Sequence, residues 1–281
     1  MNKILVFINN FIKLFFLNKN QKRFINHNYD ILRTNKVDKL DQKIILMELN
    51  ETVTNTIAYS YFAYYSSKKY NTKLAAFSPR IPRNFYKKMI WKFRSVFGSP
   101  TYSIFKSFGV NSFIIPSLNK HLSKESNRIY NEQIDLINNK DDIEKITIYG
   151  VLFGDLIYDY FLNIYTSPSI DIELKNFKNH LKYCIQLIVY WNNFFVENDV
   201  DIAILEIGLG GQFDSVTACK PNLQLFTSIS YDHMHILGNT LEKITTEKAK
   251  AIQPNTPCIS VNHTDFIKNI LNTLNQRKPL L

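Results

Sequence analysis

Glu206, His233 and Lys248 are chemically capable side chains crowded into one part of this 281-residue chain. The stretch "DIAILEIGLGGQFDSV" (201–216) runs an apolar, strand-like segment into a lone glutamate and then into Gly208, Gly210 and Gly211. "SYDHMHILGNT" (230–240) repeats the arrangement, with Asp232 and His233 following an apolar run. Lys248 belongs to the helical pattern "TLEKITTEKAKAI" (240–252), on the stripe of Leu241, Ile244 and Ile252. A lysine so placed either snorkels to solvent or, if kept dry, becomes an uncharged nucleophilic amine able to take up carbon dioxide as a carbamate. Glutamate, histidine and a lysine carbamate would together suit a hard cation facing a phosphate. The chain has 8 glycines, and Gly208, Gly210, Gly211 and Gly238 all fall in this part. They mark plain tight turns, or backbone that takes positive φ or approaches a ligand closely.

The elements that would position these groups alternate between strand and helix. "KIILMEL" (43–49) reads as a buried strand, "NTIAYSYFAYYSSKKY" (55–70) as a helix and "KLAAF" (73–77) as a second strand. Residues 80–145 show few strong periodicities. "ITIYGVLFGDLIYDYFLNIY" (146–165) and "FKNHLKYCIQLIVYWNNFFVEND" (177–199) read as long helices with wide apolar faces. "VDIAIL" (200–205), "LQLFTSI" (223–229) and "CISV" (258–261) follow as strands. Continuous apolar strands separated by helices predict an α/β fold, a mostly parallel sheet with helices on both faces. Ligands of such sheets sit beyond the strands' carboxyl ends, where Glu206, Asp232 and His233 fall.

"LEIGLGGQFDS" and "TSISYDHMHILGNTLEKITTEKAKAIQP" resemble the folylpolyglutamate synthase and dihydrofolate synthase family of the Mur ligase superfamily, whose pattern reads roughly LEVGLGGRxDATN, then TSIGxDHxxxLGxTLxxIAxEKAGIIKxG. The resemblance implies a Mur-ligase-type central ATPase domain and a ligase that couples ATP cleavage to amide formation. The carboxylate of a pteroate or folate would attack the γ-phosphate, and the amine of glutamate would displace phosphate from the acyl phosphate. Carried over by position, Glu206 and His233 would be Mg2+ ligands. Lys248 would be the carbamylated lysine, acting with His233 in catalysis, and Asp214 and Asp232 would lie near the same site. Gln212, Val216 and Thr217 depart from the family's Arg, Thr and Asn, and Gly150 stands where it has an active-site glutamate. Its phosphate-binding loop GTNGKGS is replaced by "NETVTNT" (50–56), which has no glycine and no lysine, so Thr54, Asn55 and Thr56 are the nucleotide-binding candidates. "AAFSPRI" (75–81) is similar to the family's following LFTSPHL.

The family's smaller carboxy-terminal domain is expected to be missing, with 1–40 an amino-terminal helical segment packed on a Mur-ligase-like ATP-binding domain, 41–281. Two functions stay open. One is a folate-type ligase using ATP and Mg2+, with a second chain supplying the missing domain; the other is a degenerate relative that binds folate, metal or protein without catalysis.

Composition trims the alternatives. A net charge of +10 favours anionic partners, but the basic residues form no run of five or six and no nucleic-acid motif is present. Cys184, Cys219 and Cys258 lack metal-ligand spacing and read as small buried hydrophobes in a reducing compartment. Asn9, Asn10 and Lys13 interrupt the first apolar stretch, so no stable membrane insertion is expected. The expected location is cytoplasmic, with an organelle as the alternative because residues 1–29 contain no acidic side chain.

Overall fold

A computed structural model describes residues 16–32, 43–49, 53–78, 81, 89–94, 99–166, 169–205, 207, 210–211, 215–219, 221–231, 233–253, 256–261 and 264–269. In chain order the elements are α1 (Lys19–Leu32), β1 (Ile44–Glu48), α2 (Val53–Tyr70), β2 (Lys73–Phe77), α3 (Pro100–Ser107), β3 (Ser112–Ile114), α4 (Lys120–Ile134), α5 (Lys140–Ile143), β4 (Thr147–Ile148), β5 (Val151–Leu152), α6 (Gly154–Tyr165), α7 (Lys175–Glu197), β6 (Val200–Ile204), β7 (Gln224–Phe226), α8 (Met234–Leu237), α9 (Leu241–Ala249) and β8 (Cys258–Ser260). The chain forms two compact units, Met1–Ile204 and Leu205–Leu281.

In the first unit a parallel sheet runs in the order β3-β2-β1-β6. Side chains alternate across it. Ile45, Met47, Leu74 and Ala76 meet Ala63 and Tyr59 of α2 and Phe105 of α3 on one face. Leu46, Ala75 and Phe77 meet Trp191 and Phe194 of α7 on the other. The sheet is therefore parallel and helix-covered on both faces, as the continuous apolar runs require. Fully buried Ser60 and Ala63 let α2 lie close, and the Tyr59 hydroxyl donates to the Glu48 carbonyl at 2.9 Å. Strand β6 carries a bulge: Ile44 pairs with Val200 but Ile45 with Ile202, leaving Asp201 as the extra residue. Its carboxylate lies 3.3 Å from Lys43 Nζ. Strands β2 and β3 lie to one side of β1 and β6 to the other. The order thus reverses beside β1, where open α/β sheets form their crevice.

A second core joins α4, α5, α6 and α7 through Leu122, Ile143, Phe161, Phe177, Leu181 and Ile185. The expected helix over 146–165 is not one element. Thr147–Leu152 forms an antiparallel hairpin and only Gly154–Tyr165 is helical. Tyr149 and Gly150, both at positive φ (53° and 77°), make its two-residue turn, and that backbone cannot continue a helix. The reading of 80–145 also undercounts structure, since α3, α4, α5 and β3 lie there.

Helix α1 packs Ile25 and Leu32 against Tyr64 and Phe108. Asn28 Nδ2 donates to Ser107 Oγ at 2.9 Å within this contact, and the Tyr64 hydroxyl donates to the Leu32 carbonyl. Lys19 and Lys22 stand at the amino end of α1 with no acidic residue in its first turn, against the preference of the helix dipole.

In the second unit β7 and β8 pair in parallel. Of the cysteines, Cys184 and Cys258 are buried but Cys219 is exposed, a correction to the expectation that all three fill the core. No described helix is long and apolar enough to cross a membrane.

Candidate functional site

The second unit holds most of the chemistry-bearing positions. Helix α9 starts at a capped end, where Thr240 Oγ1 accepts from the Lys243 amide at 3.2 Å. It buries Ile244, Thr245 and Ala249. It ends at Ala249, short of the expected Ile252, and Ala251 N then bonds to the Lys248 carbonyl at 3.2 Å. Lys248 is half-buried, between the two fates its stripe allowed.

Gly211 is buried against this last turn. A Cβ there would run into the Glu247 carbonyl and stand 2.8 Å from Ala251 N and 2.9 Å from Lys248 O. Hence glycine at 211 admits a helix backbone, a reason distinct from admitting a ligand. Gly210 is needed for its φ of 70° and lies beside Leu237 of α8. Gly238 likewise takes a positive φ, 103°. The loop is tied down by hydrogen bonds among residues far apart in sequence. Thr217 Oγ1 donates to the Gly211 carbonyl at 2.6 Å, and Gln253 Nε2 donates to the Thr217 carbonyl at 2.8 Å. Gln253 N donates to Gln224 Oε1 at 2.7 Å, and Gln224 Nε2 to the Ala251 carbonyl at 2.8 Å. Sequence reasoning missed this clamp, because glutamine and threonine carry no spacing signature for it.

His233 heads α8 with its backbone in the left-handed region, φ 48°. Its carbonyl receives the amides of Ile236 and Leu237, each at 2.9 Å. The ring is exposed and stands 6.3 Å from that of His235. Through Leu237 and Gly210, the loop that packs on α9 also touches the short helix that His233 begins. Gly208, Glu206, Asp214 and Asp232 lie outside the described residues. Among the described residues no three His, Cys, Asp or Glu side chains form a metal-binding group.

In the first unit, α2 begins at Val53, so Thr54, Asn55 and Thr56 occupy its first turn, two residues earlier than the sequence pattern put its start. Their side chains lie outside the described residues. The first amides of a helix have no partner within it and carry the positive end of its dipole. No acidic residue offsets that in the first turn of α2.

No protein-family model matches the chain. It is 33% identical over 118 residues to the dihydrofolate synthase/folylpolyglutamate synthase of Bacillus subtilis, and 45% identical over 78 residues to a folylpolyglutamate synthase of Arabidopsis thaliana. Over those stretches the chain is similar to folylpolyglutamate and dihydrofolate synthases. The matches take in 42% and 27% of this chain but only 27% and 14% of those two synthases. Among solved structures, a folylpolyglutamate synthase complex with AMPPCP aligns over 98% of this chain and 51% of that one, at 13% identity and a TM-score of 0.36. Escherichia coli FolC with DHPP and ADP aligns over 93% of this chain and 50% of its own, at 15% identity and a TM-score of 0.34. The chain thus spans about half the length of these synthase structures.

Proposed function

We propose that this chain takes part in an ATP-dependent ligase reaction that joins glutamate to a pteroate or folate through an acyl phosphate. The observation that carries the reading is the sequence identity with synthases of that activity. In this reading residues 41–281 are the ATP-binding domain and 1–40 an appended helical segment.

Glu206, His233 and Lys248 are proposed as the groups that would hold Mg2+, and the donor chemistry fits. A carboxylate, an imidazole and, after uptake of carbon dioxide, a carbamate oxygen form a set open to a hard cation. Exposed His233 and half-buried Lys248 are accessible to such a ligand and to carbon dioxide. The ion would neutralise phosphate charge during transfer. Asp214, Asp232 and Gly208 belong to the same proposed site. The amides opening α2, at Thr54, Asn55 and Thr56, would meet the nucleotide's phosphates. A second chain would complete the glutamate side.

"NETVTNT" favours a second reading, a non-catalytic folate-, metal- or protein-binding relative. Loss of a phosphate-contacting lysine and a magnesium-bound hydroxyl costs roughly 10³–10⁴ in rate if each is worth about 2–3 kcal/mol. Calorimetric titration of the chain with Mg·ATP, repeated on Glu206→Ala, separates the two. The ligase reading expects a binding isotherm that the variant abolishes, followed by ADP release when folate or dihydropteroate and glutamate are added. Absence of heat up to millimolar nucleotide would leave the second reading standing.

A further inference from the structure

Helix α1 has one committed face and one open one. Ile25, Asn28 and Leu32 are buried on the body of the first unit, while Lys19, Lys22, Arg23, Asn26 and His27 are exposed. Phe16, just ahead of the helix, leaves 69% of its surface open to solvent, more than any other described phenylalanine. Among the described residues, none of Lys19, Lys22 and Arg23 has a carboxylate within ion-pair distance. The acid on the open side is Asp30, seven residues beyond Arg23 and so about 10 Å further along the helix at roughly 1.5 Å per residue. The sequence ahead of the helix extends the bias. Lys3, Lys13, Lys19, Lys22 and Arg23 fall among the first 29 residues with no aspartate or glutamate, and most other side chains there are Ile, Leu, Phe or Val.

We propose that the open face of α1, with Phe16, docks on the surface of an anionic phospholipid bilayer. Basic side chains beside exposed apolar ones match the two layers that such a surface offers, phosphate-bearing headgroups above and acyl chains below. The helix lies on the membrane while its buried face keeps the body of the protein attached. Self-coverage by residues 1–15 is disfavoured by charge, because that segment brings Lys3 and Lys13 to a face that is already basic.

The test is co-sedimentation of the full chain with vesicles of phosphatidylcholine alone and of phosphatidylcholine with about one third phosphatidylserine. The expected result is binding to the mixed vesicles alone, weakened steeply by added salt. The triple variant Lys19→Glu/Lys22→Glu/Arg23→Glu should bind at least on the order of 100-fold more weakly, since each cation near such a surface is worth about fivefold. Phe16→Ser should also weaken binding. All four side chains are exposed, so circular dichroism of the variants should match the parent. Equal binding to neutral vesicles, or binding unmoved by the charge reversal, overturns the proposal. Binding of an RNA duplex but of no vesicle would overturn it in favour of a nucleic-acid face.

Discussion

The hydroxyl of Thr217 donates to the carbonyl of Gly211 at 2.6 Å and closes the glycine loop on itself. The same Gly211 is pressed on the last turn of α9, so the loop is fixed from two sides. Thr217→Val keeps the shape and removes the donor. It should cost about 1–2 kcal/mol, the cost of leaving a partly buried carbonyl unpaired. Urea denaturation would read the loss, and amide exchange should quicken first near Gly210 and Gly211.

Gly211→Ala should be more damaging. The added methyl meets the backbone of Glu247, Lys248 and Ala251, which cannot swing aside as a side-chain tip can. A loss of about 3 kcal/mol or more is expected, the upper end for overpacking. Gly210→Ala meets only Leu237 Cδ2 at 3.5 Å and suffers instead from its positive φ, which costs about 1–2 kcal/mol. Thermal unfolding of the pair should rank 211 below 210.

His233 separates backbone need from side-chain need. A left-handed φ of 48° at a non-glycine residue is a local cost. His233→Gly should therefore leave stability unchanged or raise it by up to about 1 kcal/mol. Under the proposed function the same variant should bind Mg·ATP at least tenfold more weakly, because the imidazole is gone. A variant that loses stability and binding together would argue for a structural role only.

Tyr149 should show itself in alkali. Partial burial of its phenol, the hydrogen bond to Glu125 at 2.7 Å and that carboxylate's charge all push it well above the ordinary tyrosine value of about 10. A folded-state value above the unfolded one contributes stability that is complete below about pH 10 and is lost as pH rises through the folded value. Ultraviolet titration, read as the difference between the parent and Tyr149→Phe, should find this phenol still protonated beyond that point. Glu125→Gln should bring it part of the way back, and Tyr149→Phe should remove it.

The centre of the parallel sheet was legible because β1 and β2 are buried on both faces and so read as unbroken apolar runs. "KLAAF" matches β2 residue for residue, and the strand read at 43–49 is β1 with one residue trimmed at each end. The 146–165 segment was not legible as two elements. Its apolar residues satisfy a helical period throughout, and the left-handed pair Tyr149-Gly150 lacks the Asn-Gly or Asp-Gly signature of a tight hairpin. Gly211 teaches a related lesson. Glycine that clears a path for a ligand and glycine that clears a path for a helix look the same in a sequence; only the neighbours of its absent Cβ tell them apart. The Thr217–Gln253–Gln224 clamp depends on partners up to 36 residues apart, beyond the reach of any local pattern.

The bulge in β6 separates spacing from length. Without Asp201, Val200 would pair with Ile44 and the next residue with Ile45 in plain alternation, so the strand has absorbed one surplus residue at the cost of a kink. Pairing of Ile202, Ala203 and Ile204 with β1 then resumes as though nothing had been added. The end of β6 at Ile204 is thus indexed to β1 and not to the length of α7 before it. Deletion of the residue at position 201 should consequently leave the pairing of Ile202, Ala203 and Ile204 with β1 in place, so the chain can lose a residue there without changing where β6 ends.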